Sequence, residues 1–165
     1  MTRLITFAVL ALLLASCATG YQEKGLTGGF SETQLGENIF RVSFNGNAYT
    51  SMERAADFTL LRSAELAVEN GFSYFVIIDE DQSTELSTYT TPTRSHTTAN
   101  VYGSGNYATG SATTTTTGGQ TYVYSKPRST NTIVCLHDKD QASGIVYDSS
   151  FVIKSIREKY GLVDE

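Results

Sequence analysis

The fold of this chain is decided by one stretch, IFRVSFNGNAYTSMERAADFTLLRSAELAVENGFSYFVII, at residues 39–78. Apolar and polar residues alternate over residues 39–44, which predicts a half-buried strand with Phe40, Val42 and Phe44 on its buried face. The Asn-Gly-Asn sequence that follows is a turn signal and closes this strand.

The segment after this turn predicts an amphipathic helix. Residues 50–53, Thr-Ser-Met-Glu, have the pattern of a capping box, in which the Thr50 hydroxyl caps the helix and Glu53 reaches back. The helix extends to about Asn70, and Gly71 stands where a left-handed residue commonly ends a helix. The predicted apolar stripe consists of Ala56, Leu60, Leu61, Ala64, Ala67 and Val68.

Residues 72–78 form the most apolar run outside the N-terminal segment 1–16. Both faces of this run are apolar, which is typical of a central strand. A strand, a helix and a strand at this spacing predict a βαβ-like unit, and any parallel pairing within it would cross over right-handed. We expect this unit to be the nucleus of the fold.

The remaining regular elements complete a mixed fold. Residues 131–138 predict another strand that is apolar on both faces. Asp148 is the predicted N-cap of a short amphipathic helix that Gly161 closes. The apolar positions of this helix are Phe151, Val152, Ile156 and Tyr160. Together these elements predict an α+β fold class, as a single two-layer domain with helices packed on one sheet.

A low-complexity insertion occupies residues 83–119 of this predicted domain. Of the 36 residues at 83–118, 18 are Ser or Thr, and only Glu85 and Arg94 are charged. Such a segment has little apolar surface to bury. It predicts either a disordered loop or a long β-hairpin whose Thr-rich strands lack a core face, with a loose tip over residues 103–118.

The charge balance excludes one class of partner. The chain has 165 residues, with 12 Lys and Arg against 17 Asp and Glu, and a net charge of −5. Its basic residues never occur as adjacent pairs. Nucleic-acid binding requires clustered positive charge, so we expect no nucleic-acid partner. The sequence also contains no apolar run of transmembrane length.

Residues 1–16 have the pattern of a bacterial signal peptide. Arg3 supplies a positive charge, and residues 4–15 form an apolar run interrupted only by Thr6. The sequence Leu-Ala-Ser-Cys at residues 14–17 follows directly and resembles the lipobox of bacterial lipoproteins. This resemblance implies that Cys17 is the first residue of the mature chain. The alternative is an ordinary signal peptide followed by a chance Cys, or a short buried apolar helix.

The lipobox resemblance also implies how the protein is anchored. Cys17 would carry a diacylglyceryl thioether and an N-acyl chain, and several acyl chains together anchor a protein stably. Ala18 replaces the Asp that retains such proteins in the inner membrane. The resemblance therefore implies an outer-membrane location, facing the periplasm or the cell surface. Residues 17–38 are rich in Gly and predict a flexible tether before the domain at 39–165.

The second cysteine, Cys135, is left without a partner if Cys17 carries lipid, so no disulfide is expected within the monomer. Its apolar neighbours Ile133, Val134 and Leu136 favour an inert thiol buried on a strand. An intermolecular disulfide or a ligand role is the alternative.

Two groups of residues are candidate metal ligands. The carboxylates that end the central strand suit weak Ca²⁺ binding, or are simply the solvated end of a strand. They are Asp79, Glu80, Asp81 and Glu85. Cys135 and His137 lie two residues apart on one strand face, and with His96 they suit a transition metal. The alternative is a buried Cys beside a strand-end His, and we expect no bound metal or cofactor.

Asp57 is the residue that fits its pattern least, because it falls within the predicted apolar stripe. A buried carboxylate needs a partner, and Arg41 or Lys154 could supply a structural ion pair. The alternative is a catalytic acid. The chain has no nucleophile-elbow motif, since the Gly-Ser-Gly sequence at 103–105 lies in the insertion. Its glycines at 25–29 also precede no phosphate-binding Gly-Lys-Ser/Thr sequence.

Beyond the lipobox, the chain resembles a known family. The resemblance lies in residues 28–32, 41–47, 50–66, 71–75 and 131–135, and is weakest in the Thr-rich middle. These stretches are similar to a family of small Caulobacter-type lipoproteins of alphaproteobacteria. The function of that family is uncharacterised, so the resemblance implies a lipoprotein with a single domain and no catalytic residue.

These observations favour a non-enzymatic envelope lipoprotein that binds or spaces other envelope components. A second hypothesis is a sensor or accessory subunit that presents the Ser/Thr/Tyr-rich hairpin to a partner by strand addition. A flat edge strand near residues 120–124 would favour this hypothesis. A third is a periplasmic hydrolase that uses Asp57 or His137, which a pocket lined by several polar side chains would favour. The expected partners are the membrane, through lipid, and an envelope protein.

Overall fold

A computed structural model describes residues 18–142 and 144–162 of the chain. Over these residues the chain forms seven strands and two α-helices, which confirms the mixed α+β class. In chain order the elements are β1 (Gly29–Gln34), β2 (Ile39–Asn45), α1 (Met52–Glu69), β3 (Tyr74–Thr90), β4 (Arg94–Ser104), β5 (Tyr107–Thr117), β6 (Thr121–Leu136), β7 (Tyr147–Asp148) and α2 (Ser149–Tyr160). Neither helix in this described part is long and apolar enough to cross a membrane.

The chain divides into two compact units, and each makes most of its contacts within itself. The main unit contains the described residues up to Glu85 and from Ser125 onward. The hairpin unit is Leu86–Tyr124. The main unit contains the hydrophobic core, whereas every residue of β4 and β5 in the hairpin unit is exposed.

The larger sheet has the strand order β1-β2-β6-β3-β7, and β4 pairs with β5 in a sheet of its own. Because β6 lies between β2 and β3, the two strands that flank α1 are not neighbours. The predicted βαβ-like unit is therefore present in a split form, in which β2 and β3 belong to one sheet and the antiparallel β6 lies between them. The local pattern cannot show this, because α1 ends at Glu69 and β6 begins only at Thr121, beyond the whole insertion.

Strand β2 supplies the predicted apolar face of the core. Phe40, Val42 and Phe44 are buried, as expected for the strand predicted at 39–44. In the antiparallel register with β6, Phe40 lies opposite Ile133, which is also buried. The strand predicted at 131–138 is confirmed as the last part of β6, and its Cys135 is buried as predicted.

Helix α1 has the predicted length, but a different cap and buried face. Ser51 is the N-cap, and its hydroxyl accepts a hydrogen bond from the backbone N–H of Arg54 at 3.1 Å. The predicted Thr50–Glu53 capping box is therefore wrong. The hydroxyl of Thr50 accepts hydrogen bonds from other segments instead.

The buried face of α1 includes polar residues that the apolar stripe omits. Thr59 and Ser63 are fully buried because their hydroxyls donate to carbonyls one turn back in the helix. Phe58 is buried on this face as well, whereas Val68, assigned to the stripe, is 47% exposed. The observed buried residues are Ala55, Phe58, Thr59, Leu61, Ser63, Ala64, Leu66 and Ala67.

Strand β3 has the predicted interior position only near its start. It lies between β6 and β7, but β7 pairs with Tyr74 and Phe75 alone. Phe75 is buried and Ile78 is exposed, so the apolar run at 72–78 is covered only in part. The pairing with β7 ends at Phe75, because β7 consists of only two residues.

Helix α2 begins and ends as predicted. The carboxylate of Asp148 accepts from the backbone N–H of Phe151 at 3.0 Å, and Gly161 has the left-handed φ of 63°. Val152 and Ile156 are buried, but the side chain of Phe151 is exposed. The predicted apolar face is therefore correct except at Phe151.

The prediction of a flexible tether over residues 17–38 is corrected for the described part of that range. Thr19 is buried, and β1 pairs with β2 along its whole length. Tyr21 and Phe30 fasten this segment, since the Tyr21 ring contacts both Phe30 and Phe58. Glycine at position 28 allows close packing of the backbone. Gly28 has φ 105°, and an added Cβ would lie 2.1 Å from the carbonyl oxygen of Asn45.

The sequence predicted either a disordered loop or a β-hairpin for the Thr-rich insertion, and the structure has the hairpin. Strands β4 and β5 pair from Arg94–Thr117 to Ser104–Tyr107. The expectation of a loose tip over 103–118 is wrong, because residues 107–117 form β5. Thr has high β-propensity, and the backbone ladder needs no buried face to form.

Candidate functional site

The predicted lipid attachment site, Cys17, lies outside the described residues, so its lipidation stays a prediction. Hydrogen bonds attach the chain to the main unit from Thr19 onward. The backbone N–H of Thr19 donates to the Thr50 hydroxyl at 3.0 Å. The Thr19 hydroxyl donates to the carbonyl of Thr27 at 2.8 Å and accepts from the N–H of Asn47 at 2.9 Å. We call Thr19, Thr27, Asn47 and Thr50 the entry cluster.

A cleft of about 460 Å³ lies beside the entry cluster, within the main unit. Four short segments line it: residues 24–28, 45–47, 83–85 and 126–128. The charged side chains among them are Lys24, Glu85, Lys126 and Arg128. We call this space the entry cleft. Most of its charged residues are basic, although the whole chain is acidic.

Two large apolar side chains at this end of the main unit face solvent. Leu26 stands at the tip of a tight turn in which the N–H of Gly25 donates to the carbonyl of Gly28 at 2.9 Å, and its side chain is fully exposed. Tyr49, which directly precedes Thr50 of the entry cluster, is 73% exposed. Leu26 therefore does not pack against the main unit.

A network of charged side chains fastens the N-terminal segment and α2 to α1. The carboxylate of Glu65 accepts hydrogen bonds from the Tyr21 hydroxyl and from the Arg157 guanidinium, the latter at 2.9 Å. Burial, together with this bond to Glu65, raises the pKa of Tyr21 well above its usual value. The side chain of Glu65 is only 12% exposed, so these partners stabilise a largely buried charge.

Arg62 is the second centre of this network. It forms salt bridges with Glu32 of β1 at 3.0 Å and with Glu69 at 2.7 Å, and its guanidinium lies over the Phe30 ring. Burial opposes its charge, but the hydrogen bonds to Glu32 and Glu69 raise the pKa of Arg62. The network joins segments of the chain to one another, which is a structural role.

Asp57 forms the predicted structural ion pair, but with different partners. Its carboxylate accepts from the Lys159 ammonium and from the Tyr160 hydroxyl, both at 2.7 Å, and so the predicted pairing with Arg41 or Lys154 is wrong. Burial and the bond to Asp57 raise the pKa of Tyr160 to about 12. These partners depend on the register of α2 against α1. That register cannot be predicted from the spacing of residues in the sequence.

The candidate metal ligands are not gathered into a site. No group of three or more His, Cys, Asp or Glu residues that could hold a metal ion occurs within residues 18–142 and 144–162. The carboxylates at 79–81 are exposed. Burial raises the pKa of the Cys135 thiol to about 11, which makes it a poor nucleophile and a poor ligand. The exposed His137 stacks on Phe72, with ring centres 4.6 Å apart.

The hairpin unit presents two different faces. Hydroxyl pairs lie across the strands on one face, at 3.0 Å between Ser95 and Thr116 and at 2.9 Å between Thr97 and Thr114. The opposite face contains larger side chains, including Arg94, His96, Asn100 and Tyr102. Both strands pair only with each other among the described residues, so each keeps one open backbone edge.

The start of β6 extends past its pairing with β2. The pairing of β6 with β2 ends at Arg128, opposite Asn45, followed by one further bond from Gly46 to Pro127. Residues 121–126 extend beyond the end of β2.

Sequence reasoning gave the hairpin as one of two alternatives for the insertion, and it missed the exposed residues around the entry cluster. The one available signal was a single Leu between glycines, in Lys-Gly-Leu-Thr-Gly at residues 24–28. Its exposure depends on the pairing of β1 with β2, which composition does not reveal. The chain matches no protein-family model, no curated protein and no solved structure.

Proposed function

We propose that this protein is an envelope lipoprotein, anchored by lipid on Cys17 in the outer membrane, whose role is to bind another envelope protein. The lipobox-like sequence at residues 14–17 supports the anchor. The exposed hairpin unit is the observation that carries the binding role. The resemblance of the chain to small Caulobacter-type lipoproteins supports the same location.

The hairpin unit has the properties of a recognition element. A two-stranded sheet without a buried face is only marginally stable in water, so a partner that covers it would add stability. Strands β4 and β5 are exposed at every position. Gly118 directly follows β5, where the backbone of Pro92 lies close to it. A glycine is required there because an added Cβ would lie 2.0 Å from the Pro92 carbonyl oxygen. Such a defined, uncovered element is suited to binding.

The open strand edges indicate how a partner would bind. An extended segment of another protein can add to an exposed edge through backbone hydrogen bonds, with side-chain contacts giving specificity. A sensor or accessory subunit would use the hairpin in the same way.

The hydrolase hypothesis receives less support. The Asp57 carboxylate is bound by Lys159 and Tyr160, so it serves to join α1 to α2. The His137 ring stacks on Phe72. A binding role requires none of these residues.

We also infer a two-layer arrangement within the main unit, as part of a single domain that includes the insertion. Helix α1 packs against β2 and against α2, and both helices contribute to one core. Such packing is typical of helices on one face of an antiparallel sheet.

The binding role can be tested by replacing the hairpin. Thr91 and Gln120 are paired by a backbone hydrogen bond of 2.9 Å, so an Asn-Gly turn can replace residues 92–119 between them. A photo-crosslinking residue at Thr98, introduced in the full chain in its own cells, should capture a protein partner. The shortened chain, probed from Tyr122, should lose that partner and keep its melting temperature, because loop length changes stability only slowly.

Matched positions make the result specific. A crosslinker at Val68, an exposed position on α1, should not capture the same protein. Capture that persists without the hairpin, or no capture from Thr98, would overturn the recognition role. A large fall in melting temperature would overturn it as well, because the hairpin would then be structural.

A further inference from the structure

We propose that the end of the main unit around the entry cluster is a membrane-contact surface, with Leu26 and Tyr49 in the lipid interface. Lys24, Lys126 and Arg128 would face anionic head groups. We call this end the entry face, defined by these five residues. The proposal rests on the lipid anchor of the proposed function, and adds to it the orientation of the main unit on the bilayer.

The first argument is the distance from the anchor to the fold. Thr19 is the second residue after Cys17, and two extended residues span about 7 Å at most. The head-group layer on one side of a bilayer is about 5–8 Å thick. A lipid attached at Cys17 would therefore bring Thr19 to the head-group layer. Thr19 is bound to Thr27, Asn47 and Thr50, so it cannot leave the main unit without breaking these hydrogen bonds.

The second argument is the position of the exposed apolar side chains. Thr27, whose carbonyl accepts from the Thr19 hydroxyl, is the neighbour of Leu26. Tyr49 is the neighbour of Thr50, which accepts from the Thr19 N–H. Both exposed side chains therefore lie at the end where the chain would leave the bilayer. Tyr suits the boundary between head groups and acyl chains, and an exposed Leu at a turn tip is stabilised when it enters lipid.

The third argument is charge. Lys24, Lys126 and Arg128 line the entry cleft beside a single acidic residue, Glu85, in a chain with a net charge of −5. Each basic side chain near an anionic membrane surface adds to the attraction. The acidic remainder of the chain would be repelled from the same surface, so the entry face is the end that charge directs to the membrane.

The test uses the absence of Trp from the chain, which makes a single introduced Trp a specific fluorescent probe. Leu26→Trp in the full lipidated chain is reconstituted in phosphatidylglycerol-containing vesicles, with bromine on the lipid acyl chains as quencher. We expect a blue-shifted emission and strong quenching. The matched control is Leu35→Trp, because Leu35 is also exposed but lies at the opposite end of β1. Its quenching should be several-fold weaker.

A charge variant separates the basic residues from the apolar ones. Lys24→Glu, combined with the Trp at position 26, should reduce quenching in anionic vesicles and leave it nearly unchanged in phosphatidylcholine vesicles. Lys154→Glu, an exposed position on α2, should change neither. Equal effects of the two charge variants would overturn the role of the entry-face charges.

Flotation of the vesicles distinguishes failure of the surface from failure of the anchor. A chain that floats with the vesicles while its Trp at position 26 stays unquenched has an anchor but no membrane-contact surface. Equal quenching at positions 26 and 35 would likewise overturn the orientation. A chain that carries no lipid and does not float overturns the anchor, and the entry face with it.

Discussion

Leu61 is the side chain that tests the orientation of α1 most directly. It is fully buried in the core, so Leu61→Ala should lower the free energy of unfolding by about 2–5 kcal/mol, through lost apolar contact and the cavity left behind. Val68→Ala on the same helix is the matched control. Val68 is 47% exposed, and its loss should change stability by no more than about 0.5 kcal/mol.

Urea denaturation of both variants measures the difference. Similar losses from Leu61→Ala and Val68→Ala would mean that the helix is rotated relative to the observed packing. That result would restore the stripe expected from the apolar residues alone, in which both positions face the core.

Individual residues were predicted best where one local rule decides their role. Asp148 is an N-cap and Gly161 a left-handed helix end, as their positions indicated. Thr50 and Ser51 are both good caps, so the local rule could not choose between them. Thr19, from a distant part of the sequence, donates its backbone N–H to the Thr50 hydroxyl, and Ser51 is the residue that caps the helix. Asp57 shows the same limit, because its need for a partner was predictable and the partner was not.

The attachment of β1 depends on Arg62 of α1. Arg62→Met removes the salt bridges to Glu32 and Glu69 and the guanidinium contact with the Phe30 ring, but keeps an aliphatic side chain at this position. Because the Arg62 side chain is only 13% exposed, we expect a loss of about 1–3 kcal/mol in the free energy of unfolding. Backbone amides of β1 should also exchange with solvent faster than those of β6.

The control for Arg62 is another salt bridge that lies in solvent. Lys154 contacts Glu158 at 4.0 Å with 75% of its side chain exposed, so Lys154→Met should cost no more than about 0.5 kcal/mol. Amide exchange followed by mass spectrometry compares the variants. Unchanged exchange in β1 after Arg62→Met would show that Tyr21 and Phe30 hold this strand without the charge network.

Whole elements were predictable when their pattern was continuous along the sequence. The strand at 39–44 and helix α1 are of this kind. Strand β1 was hidden because its glycines suggested flexibility, and its place in the sheet depends on pairing with β2. The sequence did not decide between a hairpin and a loop for the insertion, because threonine propensity favours a strand whereas the missing core face disfavours one. Backbone pairing and cross-strand hydroxyls decide in favour of the strand.

At the scale of the whole molecule, the two proposed functions use different parts of the chain. The entry face belongs to the main unit, close to the predicted lipid, and the recognition element is the hairpin unit. The anchor was predicted from sequence because a signal peptide and a lipobox are local patterns. The entry face was not, since its residues come from separate segments that only folding brings together.

The lipid anchor is tested by Cys17→Ser. The hydroxyl cannot take the thioether-linked lipid, so the variant should incorporate no palmitate and should leave the outer-membrane fraction. Cys135→Ala is the matched control, because it removes the other cysteine of the chain and should keep both the label and the location. The described fold of the main unit makes its contacts from Thr19 onward, so purified Cys17→Ser protein should melt at the same temperature as the unmodified chain. Palmitate labelling that survives in Cys17→Ser and disappears in Cys135→Ala would move the anchor to a thiol buried in β6. That outcome would be incompatible with the observed core, in which Cys135 is fully enclosed.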